Sequence, residues 1–292
     1  MKTPLAALLL SSILTMWSDG AHAQQIHSRF FTASDGTRLH YLEAGTGSKT
    51  LAFIPGWLMP AVIFDNQIKA LSTTYRVLVL DPRSQGQSAV AHGSHAPERR
   101  VRDIQEWLAE AKVSDFVLIG WSLGVLESLD FLTRHTTPGL KGLILIDNSI
   151  GVGKPPGGGS PKFVETMRDD TTREAYLRKF AAGLYRTRPP AELSQAVVDS
   201  ALRAPPEAAI QLLQQPYPRT YWRDAVLRQS VPVLYAVTPK FREQAQILKQ
   251  TGNPALVSID IYEKAGHALF VDEPTRFNQS VLDLASVAFT GK

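Results

Sequence analysis

The sequence contains no cysteine in its 292 residues. This absence excludes a disulfide framework, a thiol nucleophile and a lipid-modified amino-terminal cysteine. The fold must therefore be held together by its hydrophobic core, which a chain of this size can supply because 44% of its residues are hydrophobic. Charged residues make up only 20% of the chain, so the composition is that of a folded protein rather than a disordered one.

The amino terminus lacks an apolar run long enough to span a bilayer, since its apolar stretch covers only Leu5 to Leu14. That stretch follows Lys2 and precedes Ala21-His22-Ala23, a small-x-small cleavage site, which is the pattern of a secretory signal peptide. A buried amphipathic helix is the alternative interpretation. We expect residues 1–23 to be a signal peptide and the mature chain to begin near Gln24 without a membrane span. The expected location is the periplasm or the medium.

The chain also lacks a run of basic residues. Its net charge of +4 arises between Lys154 and Arg228, where twelve Lys and Arg stand against eight Asp and Glu. Nucleic-acid-binding proteins concentrate their basic residues in a patch or stripe, whereas these are dispersed among carboxylates. Solvated helical faces explain the pattern better, and we expect no nucleic-acid partner.

Short apolar runs alternate with longer stretches of helical period, which predicts an α/β fold with a mostly parallel eight-stranded sheet and helices on both faces. The predicted strands are Arg29 to Ala33, Leu39 to Glu43, Thr50 to Ile54, Tyr75 to Leu80, Phe116 to Ile119, Leu143 to Ile146, Val233 to Val237 and Leu256 to Tyr262. The predicted helices lie near Ala61 to Leu71, Pro97 to Ala111, Leu123 to His135, Phe241 to Gln250 and Thr275 to Ala288.

One segment interrupts this alternation. Residues 151–159 are too rich in Gly and Pro to continue any element, and the following seventy or so residues show helical spacing without a convincing strand. We expect residues 151–228 to form a helical lid inserted into a core made of residues 24–150 and 229–292. A separate helical domain on a linker is the less favoured alternative, because the chain returns to the sheet afterwards.

A candidate nucleophile follows the strand at Phe116 to Ile119. The next residues, Gly120-Trp121-Ser122-Leu123-Gly124, form the pattern G-x-S-x-G and lead into a helix. Small residues on either side allow a sharp turn that exposes the Ser122 hydroxyl at the end of the strand. A serine hydroxyl needs a base near neutral pH. His267 is the best candidate, because it follows the last strand and so emerges at the same edge of the sheet.

Four stretches together resemble the α/β-hydrolase superfamily over nearly the whole mature length. They are Phe53-Ile54-Pro55-Gly56-Trp57, residues 81–88, the segment around Ser122, and Ala265-Gly266-His267 with the residues that follow to Asn278. In residues 81–88 the family's turn usually has a glycine where this chain has Ser84. We interpret Asp81, Arg83 and Ser88 in that turn as structural residues.

The resemblance leaves the acid of a catalytic triad open. Family members usually place an aspartate after the strand that reads Val233 to Val237 here, but this chain continues with Thr238 and no carboxylate. Some members carry the acid one strand earlier, which corresponds to Asp147. The alternatives are that Asp147 only caps a turn at the lid hinge, or that Glu243 supplies the acid. The resemblance also assigns the oxyanion hole to the backbone N–H groups of Trp57 and Leu123.

The expected activity is hydrolysis of a carboxylic ester or lactone, on a small-molecule acyl substrate, through an acyl-serine intermediate. The expected chemistry uses no metal and no organic cofactor. Within the superfamily, a serine at position 122 argues against haloalkane dehalogenases and epoxide hydrolases, whose nucleophile is an aspartate. Amide or peptide cleavage and perhydrolysis on the same triad are alternatives. A non-catalytic homologue that uses the triad as a ligand pocket is an alternative of another class.

Overall fold

The structure is a computed structural model that describes residues 25–153 and 162–291. The predicted signal peptide and most of the Gly- and Pro-rich loop lie outside the described residues. Eight strands form one sheet in the order β1-β2-β4-β3-β5-β6-β7-β8. The strands are β1 (His27–Thr32), β2 (Arg38–Ala44), β3 (Lys49–Ile54), β4 (Arg76–Asp81), β5 (Asp115–Trp121), β6 (Leu140–Ile146), β7 (Val233–Val237) and β8 (Val257–Ile261).

Strand β2 runs antiparallel to both of its neighbours, and the other neighbouring pairs are parallel. The predicted α/β fold with a mostly parallel eight-stranded sheet is therefore confirmed. The α-helices are α1 (Asp65–Leu71), α2 (Pro97–Glu110), α3 (Leu123–Arg134), α4 (Phe163–Arg168), α5 (Asp170–Ala182), α6 (Ala191–Arg203), α7 (Pro206–Leu212), α8 (Arg219–Leu227), α9 (Arg242–Thr251), α10 (Leu269–Asp272) and α11 (Pro274–Thr290). The helix predicted at Ala61 to Leu71 is divided into a 3-10 turn, Ala61–Phe64, and α1.

Both faces of the central strands β3 to β7 are buried, which is why these parallel strands are mostly apolar. In β3, Leu51 and Phe53 join one core, and the alternating residues Ala52 and Ile54 join the other. The first core is covered by α1 and α11, and the second by α2, α3, α8 and α9.

The described part of the segment between β6 and β7 contains helices α4 to α8 and no strand. Helices α4 to α7 belong to the first core together with the turn at Trp57 to Met59, which follows the carboxyl end of β3. Helix α8 differs, because its buried residues Trp222, Ala225 and Val226 belong to the second core, beside α3. The division into a core and a lid of residues 151–228 stays a prediction. Within this segment, α8 packs with the second core, whereas α4 to α7 pack with the first.

Parallel strands place the residues that follow them at one edge of the sheet. The residues that follow β3, β5, β6, β7 and β8 at this edge include Pro55, Ser122, Asp147, Thr238 and His267. No helix among the described residues is long and apolar enough to cross a membrane.

Candidate active site

Ser122 occupies a sharp turn between β5 and α3, with φ 54° and ψ −119°. A non-glycine residue at positive φ costs about 1–3 kcal/mol and persists only where its surroundings enforce it. Here the Ser122 N–H donates to the Ile146 carbonyl at 2.9 Å. The turn also needs Gly124, because a β-carbon there would lie 2.2 Å from the Ile54 carbonyl oxygen. The strand, the turn and the helix together hold the Ser122 hydroxyl at the edge of the sheet.

His267 lies beside this hydroxyl. Its Nε2 is 2.8 Å from Ser122 Oγ. The loop that carries the imidazole is fixed on both sides, since the Gly266 N–H donates to Asp272 at 2.7 Å and the Trp121 indole N–H donates to the His267 carbonyl at 2.9 Å. The side chain of His267 keeps 29% of its surface exposed, so it can meet a ligand while its backbone is held.

Asp147 completes the hydrogen-bond chain. Its Oδ2 lies 2.7 Å from His267 Nδ1, and its Oδ1 accepts two hydrogen bonds from Thr238, one from the N–H and one from the hydroxyl, each of 2.7 Å. A carboxylate at Nδ1 favours the tautomer with its proton on Nδ1, which leaves Nε2 as the acceptor for Ser122. The structure thus brings together Ser122, His267 and Asp147, as the sequence predicts.

Two polar side chains near Asp147 bind backbone carbonyls of the neighbouring turns. Burial in the first place, and the neighbouring Asp147 charge in the second, raise the pKa of Tyr235 well above its ordinary value. Tyr235 therefore stays a neutral donor, and its hydroxyl donates to the Asn148 carbonyl at 2.7 Å. Asn148 in turn donates through Nδ2 to the Ser122 carbonyl at 2.7 Å, which links the ends of β5, β6 and β7.

Thr238 is the site residue that the sequence analysis missed. What stands out in the sequence after β7 is only the absence of a carboxylate. The signal that could have found it is its position, since a hydroxyl at the end of β7 is adjacent to the end of β6 in a parallel pair.

Glu243, the alternative acid, is not brought to His267. It is exposed on α9, and its carboxylate lies near Gly153, 3.5 Å from where a β-carbon on that glycine would stand. Glu243 lies in the first turn of α9, and the imidazole of His267 binds Asp147 instead.

The turn at Pro55-Gly56-Trp57 lies directly on Ser122. A β-carbon at Gly56 would stand 2.9 Å from the Ser122 β-carbon and 3.4 Å from its Oγ, so only glycine lets this turn approach.

Leu123 is the first residue of α3, so its N–H has no partner within the helix. The Trp57 indole donates to the Ala209 carbonyl in α7 at 2.8 Å. The Trp57 side chain is therefore engaged in packing.

A second serine–histidine–aspartate chain occurs elsewhere in the sheet. Ser28 Oγ lies 2.7 Å from His40 Nε2, and His40 Nδ1 lies 2.7 Å from Asp81 Oδ2. Asp81 also accepts the N–H groups of Ala61 and Gln87, at 2.5 and 2.7 Å. Ser28 lies near the start of edge strand β1, with no sharp turn and no helix amino terminus beside it. This chain of bonds fixes the turn that follows β4.

The other residues of that turn also have structural partners. The Arg83 guanidinium donates to both carboxylate oxygens of Asp103 and to Asp35. Ser84 has φ 63°, a backbone conformation that suits the glycine usual at this position in the family. Its hydroxyl oxygen lies 2.8 Å from His95 Nε2 and accepts the Ala91 N–H at 3.0 Å.

A cavity of 750 Å³ opens onto His267. Its lining includes Asp147, Thr238 and His267 together with the apolar residues Phe180 and Leu184. Within the described residues, no three His, Asp or Glu side chains are grouped so that they could hold a metal ion.

The comparisons with known proteins agree with this architecture. The family model described as "Alpha/beta hydrolase family" matches residues 51–280. The chain belongs to the α/β-hydrolase family. The Gly120 to Gly124 turn, the Asp147 position and the His267 loop all lie within the matched region.

Two curated relatives are haloperoxidases by name. A non-heme haloperoxidase of Rhodococcus erythropolis is 29% identical over 181 residues, which cover 59% of this chain and 65% of that protein. The non-heme chloroperoxidase CPO-A1 of Kitasatospora aureofaciens is 22% identical over 275 residues, which cover 86% of this chain and 97% of that protein. An esterase from Rhodococcus sp. ECU1013 has a similar solved structure, with a TM-score of 0.76 and 23% identity, covering 89% of this chain and 98% of that one. At that identity the structural likeness establishes the fold alone.

Proposed function

We propose that this protein is an exported serine hydrolase that cleaves a carboxylic ester or a lactone through an acyl-serine intermediate on Ser122. The observation that carries the proposal is the continuous hydrogen-bond chain Ser122 Oγ–His267–Asp147, with distances of 2.8 and 2.7 Å. Nucleophile, base and orienting acid within hydrogen-bond reach are the combination that activates a serine hydroxyl.

In the acylation step, His267 Nε2 removes the hydroxyl proton as Ser122 Oγ bonds to the acyl carbon. Asp147 holds the imidazole in the required tautomer and stabilises the imidazolium that forms. The N–H groups of Trp57 and Leu123 would donate to the oxyanion of the tetrahedral intermediate, and the amino terminus of α3 favours negative charge there. The proton on Nε2 then passes to the leaving oxygen, and the alcohol departs.

Deacylation repeats these roles with water. His267 removes a proton from a water molecule, whose oxygen attacks the acyl carbon, and the Nε2 proton returns to Ser122 as the carboxylic acid leaves. Every proton in both steps moves through Nε2, so the reaction as proposed requires no metal ion and no organic cofactor.

The names of the two haloperoxidase relatives favour a second candidate, perhydrolysis. Hydrogen peroxide would replace water in the second step. Its oxygen would bond to the acyl carbon, the Ser122 ester bond would break, and a peroxycarboxylic acid would leave. That product would oxidise a halide to hypohalous acid outside the site and return to the carboxylic acid.

The decisive experiment compares Ser122→Ala with Ser28→Ala, because both serines hydrogen-bond to a histidine that an aspartate orients. A fluorophosphonate should label the wild-type protein and Ser28→Ala once, at Ser122, and should not label Ser122→Ala. Turnover of 4-nitrophenyl acetate should fall by about three orders of magnitude or more in Ser122→Ala and stay unchanged in Ser28→Ala. Circular dichroism should show both variants folded.

Half of the wild-type activity in Ser122→Ala, or labelling at another residue, would refute the proposal. A ligand-binding homologue without catalysis would release no more 4-nitrophenol than Ser122→Ala does. Bromination of monochlorodimedone that requires acetate, hydrogen peroxide, bromide and Ser122 would identify perhydrolysis.

A further inference from the structure

The cavity that opens onto His267 carries an excess of positive charge at its mouth. Lys179 from α5, Arg186 from the segment after it, and Lys240 from the turn after β7 all line the cavity. None of these three side chains forms an ion pair with a carboxylate among the described residues. Three cations from three segments of the chain therefore surround one opening.

The negative groups of this cavity are already engaged. Glu263 pairs with Arg242, whose guanidinium donates to both carboxylate oxygens at 2.6 Å. Asp147 is buried, and its two oxygens bind His267 and Thr238. The three cations are thus not neutralised by the carboxylates that line the cavity with them.

The cavity is placed for the leaving group of a substrate. It includes His267, which under the proposed function protonates the leaving oxygen, and it does not include Trp57 or Leu123 among its lining residues. In the proposed mechanism His267 Nε2 protonates the leaving oxygen, so the alcohol part of the substrate lies beside the imidazole. The alcohol part therefore extends into the cavity.

We propose that the substrate's alcohol part is an apolar or aromatic group that carries an anion, such as a carboxylate, which the three cations select. Phe180 and Leu184 would contact the apolar body, and Lys179, Arg186 and Lys240 would attract the anionic group. Charges near a partly open site increase capture of an oppositely charged ligand, and salt weakens this effect. The turnover part of this inference rests on the proposed function.

The test uses three acetate esters that differ in the charge of the leaving phenol. They are the acetates of 4-hydroxybenzoate, of methyl 4-hydroxybenzoate and of a 4-hydroxyphenyl trimethylammonium salt, with each rate divided by the rate of hydroxide-catalysed hydrolysis. Wild-type kcat/KM should be about fivefold or more higher for the anionic ester than for the neutral one, and lowest for the cationic ester. The preference should shrink as sodium chloride is raised from 10 to about 500 mM.

The variant Lys179→Glu/Lys240→Glu should lose or reverse this preference, measured as the ratio of kcat/KM for the anionic ester to kcat/KM for the neutral ester. The matched control is Lys264→Glu, which changes an exposed lysine next to Glu263 that does not line the cavity. It should keep the anionic preference. Arg186 is left unchanged, because its backbone N–H binds the Asp272 carboxylate that also holds the loop of His267, and a new negative charge beside that carboxylate would disturb the loop.

A binding measurement separates this inference from the proposed function. By calorimetry, Ser122→Ala should bind 4-hydroxybenzoate more tightly than methyl 4-hydroxybenzoate, and the double glutamate variant in the same background should not. Equal rates for the three esters with active wild-type protein would overturn the inference and leave the proposed function standing. Anionic binding without any turnover would overturn the proposed function and keep the anion-selective cavity. A preference that survives in the double variant would overturn the assignment to Lys179 and Lys240.

Discussion

Thr238 donates two hydrogen bonds to one oxygen of Asp147, from its backbone N–H and from its hydroxyl. The other oxygen of Asp147 is thereby directed at His267 Nδ1. The position after β7, where members of the family usually carry the acid, here holds a residue that supports an acid placed after β6. The two positions are neighbours because β6 and β7 are paired in parallel.

The first prediction concerns this support. Thr238→Val removes the hydroxyl donor and keeps the backbone donor and a similar volume. A hydrogen bond to a charged group contributes about 1.5–3 kcal/mol, so we expect kcat to fall about tenfold or more with KM nearly unchanged. Steady-state kinetics on 4-nitrophenyl acetate would measure this.

Thr251→Val is the matched control, because Thr251 also donates its hydroxyl, to the Ile247 carbonyl, but lies at the end of α9. It should leave kcat unchanged. Equal activity of Thr238→Val and Thr251→Val would show that the hydroxyl has no part in positioning Asp147.

Much of this arrangement could be predicted from the sequence, because its signals are local. The apolar runs define the strands, and the pattern around Ser122 sits directly between a strand and a helix. Ser122, Asp147 and His267 each follow a predicted strand, so each is expected at the carboxyl end of that strand. Thr238 could not be recognised in this way, because a hydroxyl after a strand has no local pattern of its own and its role depends on its hydrogen bonds to Asp147.

The segment between β6 and β7 was the least predictable part. Helix α5 buries only Leu177 and Ala181, so its apolar stripe is too weak to define its bounds. The position of α8 against α3 is a tertiary contact, and its helical spacing resembles that of the preceding helices.

The second prediction concerns acid stability and His95. Burial, followed by the charges of Arg83 and Arg100, lowers the pKa of His95 to about 4 from an ordinary value of 6.5. The unfolded chain therefore binds a proton at His95 at pH values where the folded protein does not. The resulting stabilisation is complete above about pH 6.5 and is lost as the pH falls from there towards 4.

Between pH 7 and pH 4.5 this one group should lower the free energy of unfolding by about 2 to 3 kcal/mol. His95→Gln removes the titration, so its stability should fall less over the same range in urea unfolding experiments. His92→Gln, at an exposed histidine of the same loop, should follow the wild type. Parallel curves for all three proteins would contradict the assignment.

The third prediction concerns export. If residues 1–23 are a signal peptide, active protein recovered from the periplasm or the medium should begin at or near Gln24. Mass spectrometry of the intact protein would determine its first residue. Active protein that still carries Met1 to Ala23 would contradict this hypothesis.

The fourth prediction concerns the acid itself. In Asp147→Asn, the amide oxygen can still accept from Thr238, which turns the amide NH₂ towards His267 Nδ1. An NH₂ donor there requires an unprotonated Nδ1, so the ring proton moves to Nε2 and the imidazole cannot accept the proton of Ser122. We expect kcat to fall by up to about ten-thousandfold with little change in KM.

Glu243→Gln is the control for this change, because it removes the same charge from a carboxylate that lies outside the hydrogen-bond chain. It should have little effect on kcat. If Asp147 only caps a turn, Asp147→Asn should instead lower the unfolding free energy or raise KM while kcat is kept. A silent Asp147→Asn together with an inactive Glu243→Gln would assign the acid to α9, and the 2.7 Å contact between Asp147 and His267 would then have no catalytic meaning.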